Sequence, residues 1–189
     1  MSHAARSLLY AQIAFFGFLL LCVAITDAGL SHNHGFSFYG GNPSTLVPYA
    51  LGFVVCSWLL AHGANQLELE EGETNARFAL GLRLLVLFLL LDLLTPDTIN
   101  TFFYDAHIVA STLLFLFEAV FALWIAARVA PGVVTYTLYT LEIFGGIVAG
   151  LSQLNWIGLL SPGILVFQLS FGMLLVTATA EPAPELDTA

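Results

Sequence analysis

Residues 104–128 read YDAHIVASTLLFLFEAVFALWIAAR. Between His107 and Arg128 the only charged side chain is Glu118, and nearly everything else is apolar or small. A run of ~20 mostly apolar residues is what a helix needs to cross the hydrocarbon core of a bilayer. Lipid offers no partner to a free backbone N–H or C=O, so such a run must close its own hydrogen bonds as a helix. Working outward, the same reading applies to 8–28, 45–64 and 76–95 before it, and to 133–153 and 156–179 after it. The expectation is an all-α, polytopic integral membrane bundle of six transmembrane helices. Residues 1–180 form its single domain, followed by a disordered acidic tail at 181–189 that holds Pro182 and Pro184.

The composition leads to the same class. Of 189 residues, 59% are hydrophobic and only 9% are charged, with a mean hydropathy of +0.90. Soluble domains carry about 25% charged residues, so this chain has too few to cover a water-facing surface. Thirteen acids against four bases give a net charge of −9. There is no lysine, which excludes a retinal Schiff base. The absence of any basic patch excludes nucleic acid as a partner and a polybasic lipid-headgroup anchor. Cys22 and Cys56 fall inside apolar runs and read as small core hydrophobes. The first apolar run is too long for a signal peptide and lacks an A-x-A-like cleavage site. No nucleophile elbow, H-E-x-x-H, P-loop or dinucleotide fingerprint occurs.

The bases are Arg6, Arg77, Arg83 and Arg128. With the N-terminus in the cytoplasm, all four fall on the cytoplasmic side of a six-span chain, and the positive-inside rule selects that orientation. Both termini are then cytoplasmic, in a plasma (inner) membrane. Glu68, Glu70, Glu71 and Glu73 occupy one cytoplasmic connection, where acids contribute little to orientation.

This topology collects polar residues on the outer face. Asp27 ends the first span, and the longest outer loop follows with His32 and His34. Asp92 lies near the outer end of the third span, Asp97 is in the next outer loop, and Asp105 and His107 open the fourth. Imidazoles and carboxylates are zinc's usual ligands, and histidine titrates near neutral pH. The candidate ligand or metal site is therefore His32, His34, Asp92, Asp105 and His107, with zinc as the cofactor such a set would take. A solvated, hydrogen-bonded mouth is the plainer reading of the same residues. Gly35, Gly40, Gly41, Pro43 and Pro48 punctuate the loop, with Phe36, Phe38 and Tyr39 between them. It reads either as a lid folded over the helix ends or as an interfacial aromatic belt.

Ionisable groups inside a span are costly and so are functional candidates. Here they are Arg83, Asp92, Glu118 and Glu142. In the fifth span Thr135, Tyr139, Glu142, Gly146, Ala149 and Gln153 share one helix face. His107, Ser111 and Glu118 stack on one side of the fourth, and Ser161, Gln168 and Gly172 on one stripe of the sixth. Glu118 and Glu142 lie about 15 Å and 14 Å from the cytoplasmic helix ends. The expected intramembrane polar cluster is Glu118, Glu142, Arg83, Gln168 and Tyr139. Arg83 either pairs inward or snorkels to the cytoplasmic surface. Asp92, nine residues on, faces the opposite way at about 100° per residue. Gly145, Gly146 and Gly150 permit close helix contacts, and Pro162-Gly163 is expected to kink the sixth helix.

The loop HNHGFSFYGGNPSTLVPY and the segment DAHIVASTLLFLFEAVFALW resemble those of the Frag/DRAM/Sfk-type small six-helix membrane proteins and their bacterial relatives. The matching positions are residues 37–43 of the loop, and His107 with Ala110, Ser111 and Phe115. The resemblance covers nearly the whole chain and implies a lipid- or membrane-trafficking-linked role. A looser similarity is to the CREST group of membrane hydrolases, which place a serine, an aspartate and three histidines around zinc. Ser57, His62, Asp92 and His107 would be the counterparts. The chain lacks that group's late H-x-x-x-H pair and one of its seven helices.

The function expected from the sequence is non-enzymatic binding of a lipid or small ligand, through the outer His/Asp site and the polar bundle interior. One alternative is a metal-dependent membrane lipid hydrolase. Another is a proton- or cation-coupled transporter or channel subunit with Glu118 and Glu142 on its path. Membrane lipids are the expected partners, and the small-residue faces suit a homo-oligomer or a larger membrane complex.

Overall fold

The computed structural model describes residues 1–31, 35–70, 72–96 and 100–180. They form eight α-helices: α1 (His3–Ile25), α2 (Ala28–Ser31), α3 (Ser37–Gly41), α4 (Leu46–Leu69), α5 (Glu73–Leu93), α6 (Thr101–Trp124), α7 (Val133–Gln153) and α8 (Leu160–Ala180). A π-helical turn, Ile125–Val129, continues α6. No strand occurs among the described residues. Five helices (α1, α4, α6 with its π turn, α7 and α8) are long and apolar enough to cross a membrane. The chain is an integral membrane protein. α5 is also 21 residues long, but it carries Glu73, Arg77, Arg83 and Asp92.

Burial runs opposite to the pattern of a soluble protein. Leu20 and Val120 are each 67% exposed, whereas Glu118 and Glu142 are 1% and 0% exposed. In water such an arrangement would be unstable. In lipid the apolar shell costs nothing and the polar groups must find each other inside. The six long helices close into a ring: α1 packs on α4, α4 on α5, α5 on α6, and α8 against α7, α6 and α1. The ring brings the start of α1 to the end of α8, and Ser2 Oγ donates to the Thr179 carbonyl at 3.0 Å.

Local chemistry sets the helix ends. α1 begins at His3, five residues before the expected span, because the Ser2 side chain caps it by accepting from the Ala5 N–H. Asn100 caps α6 in the same way at Phe103. α8 begins at Leu160, so Trp156 lies outside it. Pro162 therefore sits in the first turn, where its missing N–H would have no intrahelical partner in any case. The kink expected there has no cause.

α7 and α8 approach more closely than side chains allow. A Cβ on Gly145 would run into the Phe167 backbone, and one on Gly163 into the Ala149 backbone. Gly150, also expected at a helix contact, faces open space. Near the middle of the bundle Phe121 lies over Gly81 and meets Phe78, Phe117 and Phe171.

Candidate functional site

Asp92 lies in the last turn of α5 and His107 in the second turn of α6, so a short connection returns the chain with both residues at the same end of the bundle. The connection between α1 and α4 lies at this end too. It contributes α3, whose Tyr39 ring is fully buried against Gly29. Thr45 Oγ1 donates to the Tyr39 carbonyl at 2.9 Å and holds the turn. The aromatic loop is thus packed structure over the helix ends. Burial pushes the Tyr39 phenol above its ordinary value, with smaller contributions from nearby Cys22 and Asp27.

Packing of α3 places Ser37 over His107. Ser37 Oγ lies 2.8 Å from His107 Nε2, and His107 Nδ1 lies 3.5 Å from Asp92 Oδ1. The second distance is an electrostatic contact rather than a hydrogen bond, and Nδ1 has no hydrogen-bond partner among the described residues. Ser111, one turn along α6, donates to Asp92 Oδ1 at 2.5 Å and lies 3.3 Å from Nε2. Its single proton goes to the carboxylate, which leaves the Nε2 lone pair to the Ser37 hydroxyl. This assignment places the proton of the ring on Nδ1, facing Asp92. His107 and Asp92 are 7% and 8% exposed.

Two cavities meet at this group. One is a narrow cleft, open at its mouth, to which every long helix except α7 contributes. Phe15, Phe18, Phe36, Phe53 and Phe115 supply aromatic wall, Ser37, Asp92 and Ser111 are polar lining, and Gln168 is a further polar lining group. The other also touches Ser37 and Asp92 and includes His107. Gln168 Nε2 donates to Glu118 Oε2 at 2.8 Å, which ties α8 to α6. Glu142 lies buried on α7, and neither of its carboxyl oxygens has a hydrogen-bond partner among the described residues.

The expected residues divide as follows. Asp92 and His107 come together, and so do Glu118 and Gln168. Asp105, two residues before His107, is exposed on another side of α6. His32, His34 and Asp97 lie outside the described residues. Arg83 does not join the buried glutamates. Its guanidinium grips Glu68 of α4 at 2.5 and 2.6 Å and reaches Asn65 at 3.1 Å, all in exposed positions. A cation that can reach water at a helix end avoids the desolvation that pairing in the interior would impose. Tyr139 is half-buried against the core. Ser57 is buried with no hydrogen-bond partner for its hydroxyl among the described residues, and His62 is exposed beside Trp58. The serines that meet His107 are Ser37 and Ser111. Among the described residues no group of three or more His, Cys, Asp or Glu side chains could hold a metal ion.

Sequence reasoning named Ser111 as part of a helix stripe and Ser37 as part of a loop motif, but assigned neither to the site. Spacing could have suggested Ser111, four residues after His107. Nothing local could have suggested Ser37, which meets His107 across 70 positions of sequence. Compared with known proteins, the chain matches no family model, no curated protein and no solved structure.

Proposed function

We propose that this protein is a six-span membrane protein, with both termini in the cytoplasm, that binds a lipid or other amphipathic small molecule in the cleft. The single observation behind this reading is the cleft's division: aromatic walls, a hydrogen-bonding group at the α3 end, and the Gln168–Glu118 pair beside it. Apolar walls take up an acyl or ring system, and a few convergent polar groups orient its head. The exposed apolar shell gives such a ligand a lipid phase to come from.

The sixth span is α5. Its 21 residues rise about 32 Å, enough for the hydrocarbon core, and its Arg83 is paired with Glu68 rather than left bare. The meeting of Ser2 with Thr179 supports an even number of crossings. The four arginines, all exposed, support a cytoplasmic location for that end.

The test is the lipid content of protein purified in polymer-bounded membrane discs. Mass spectrometry of wild type is expected to find a lipid class enriched over the bulk membrane. Leu114→Trp, which fills the cleft from a buried position on α6, is expected to lose that enrichment while the protein stays folded. Equal lipid profiles in the two proteins would overturn the reading.

A further inference from the structure

We propose that Ser37, His107 and Asp92 act as nucleophile, general base and positioning carboxylate, so that the mouth of the cleft cleaves an acyl ester. The substrate class, an amphipathic ester, rests on the reading of the cleft given above. The triad itself rests on its own geometry.

Both ring nitrogens of His107 face the partners this chemistry needs. Nε2 takes the Ser37 hydroxyl at 2.8 Å, which is hydrogen-bonding range for a base and its nucleophile. Nδ1 faces the Asp92 carboxylate at 3.5 Å, the side from which a carboxylate orients a catalytic imidazole. A histidine kept only for packing would be expected to have both nitrogens satisfied. Here the buried Nδ1 has no hydrogen-bond partner among the described residues. Ser111 holds the carboxylate through Oδ1, so Asp92 is fixed beside the ring. Ser37 is only half-buried and lines both cavities, so a ligand in the cleft can reach its oxygen. The three groups come from α3, α5 and α6, and each is positioned by packing rather than by a shared loop.

The reaction balances without a redox partner. Ser37 Oγ bonds to the ester carbonyl carbon as its proton passes to His107 Nε2. The carbon–oxygen bond to the alcohol then breaks, and the leaving oxygen takes the proton from Nε2. The acyl group now sits on Ser37. A water molecule entering from the mouth attacks the acyl carbon and gives its proton to Nε2. The bond to Ser37 Oγ breaks, Nε2 returns the proton to that oxygen, and the carboxylic acid leaves. Throughout, Asp92 orients the ring and balances the imidazolium charge.

The test uses the full chain in detergent micelles and a long-chain fluorophosphonate probe, with the adduct located by peptide mass spectrometry. The expected result is one adduct, on Ser37, absent in Ser37→Ala. His107→Gln is expected to slow labelling by roughly 100-fold or more, the usual contribution of a general base. Asp92→Asn should also slow it, and Asp92→Glu should recover part of the rate, a rescue that a purely structural aspartate would not give. Turnover of p-nitrophenyl decanoate should follow the same order. Gel filtration and thermal unfolding of each variant separate loss of chemistry from loss of fold. Absence of labelling in folded wild type, or labelling that persists in Ser37→Ala, would overturn the proposal. Lipid retention is read separately. Enriched lipid without labelling leaves the binding reading and removes the triad, and labelling without enriched lipid does the reverse.

Discussion

Asp92 and Glu142 are both buried carboxyl groups in one bundle, and their surroundings differ in kind. Asp92 accepts from Ser111, lies beside His107 and borders both cavities. Glu142 lies at the tight side of the ring, on the helix whose glycines bring α7 against α8, and neither oxygen is hydrogen-bonded among the described residues. The first is a polar group placed where polar partners and a cavity converge. The second is one enclosed by packing. Burial of an acid is therefore no guide to its role until its partners are counted. Glu118 falls between the two, with one oxygen taken by Gln168 and the cleft next to that pair.

The comparison breaks most visibly if Asp92 is removed. Asp92→Ala leaves the Ser111 hydroxyl without its acceptor and the His107 ring without its neighbouring carboxylate, and the stability lost should be about 1–3 kcal/mol, the cost of stranding a buried polar group. Unfolding in mixed micelles measures it, and a loss near zero would mean that the cluster holds nothing together. Glu142→Leu should have the opposite sign. Exchanging a carboxyl without partners for an apolar group of similar size is expected to stabilise the bundle by about 1 kcal/mol, provided the same assay shows an unchanged oligomeric state. A loss instead would mean that Glu142 has a partner within the bundle.

The smallest effect is at Tyr39, whose buried hydroxyl also has no hydrogen-bond partner among the described residues. Its phenol is raised in the folded protein, so the unfolded chain ionises first. Stability from this group is intact below the ordinary tyrosine value near 10 and falls as pH rises from there towards the folded value. Tyr39→Phe should remove that component of the alkaline loss and change stability at pH 7 by less than ~1 kcal/mol. An unchanged alkaline profile would assign the loss to other tyrosines.

Much of the fold was legible because lipid makes strict demands. A long apolar run must be a helix, so the six long helices stand close to where periodicity and length put them. The errors lie at ends, where a single cap decides: Ser2 extends α1, and α8 starts after Trp156 rather than at it. The site was half legible. Asp92 and His107 could be placed together because topology put them at one end of adjacent helices. Glu118 and Gln168 could each be placed on an inward stripe, but no periodicity says which stripes touch. The choice between the two readings of Arg83 was open for the same reason. Helix phase said which way it points, but not that Glu68, at the end of the preceding helix, stands within reach in an exposed position.

The sequence by itself determined the class of protein: apolar runs of spanning length, four arginines, no lysine, and a few polar residues on inward helix faces. These are properties of each segment and of the solvent it must suit. The tertiary structure alone decided what those polar residues became. Packing of the bundle enclosed Glu142, and folding of α3 over the helix ends carried Ser37 to His107. Both depend on contacts between distant parts of the chain, and side-chain chemistry acts only across the few ångströms that packing sets.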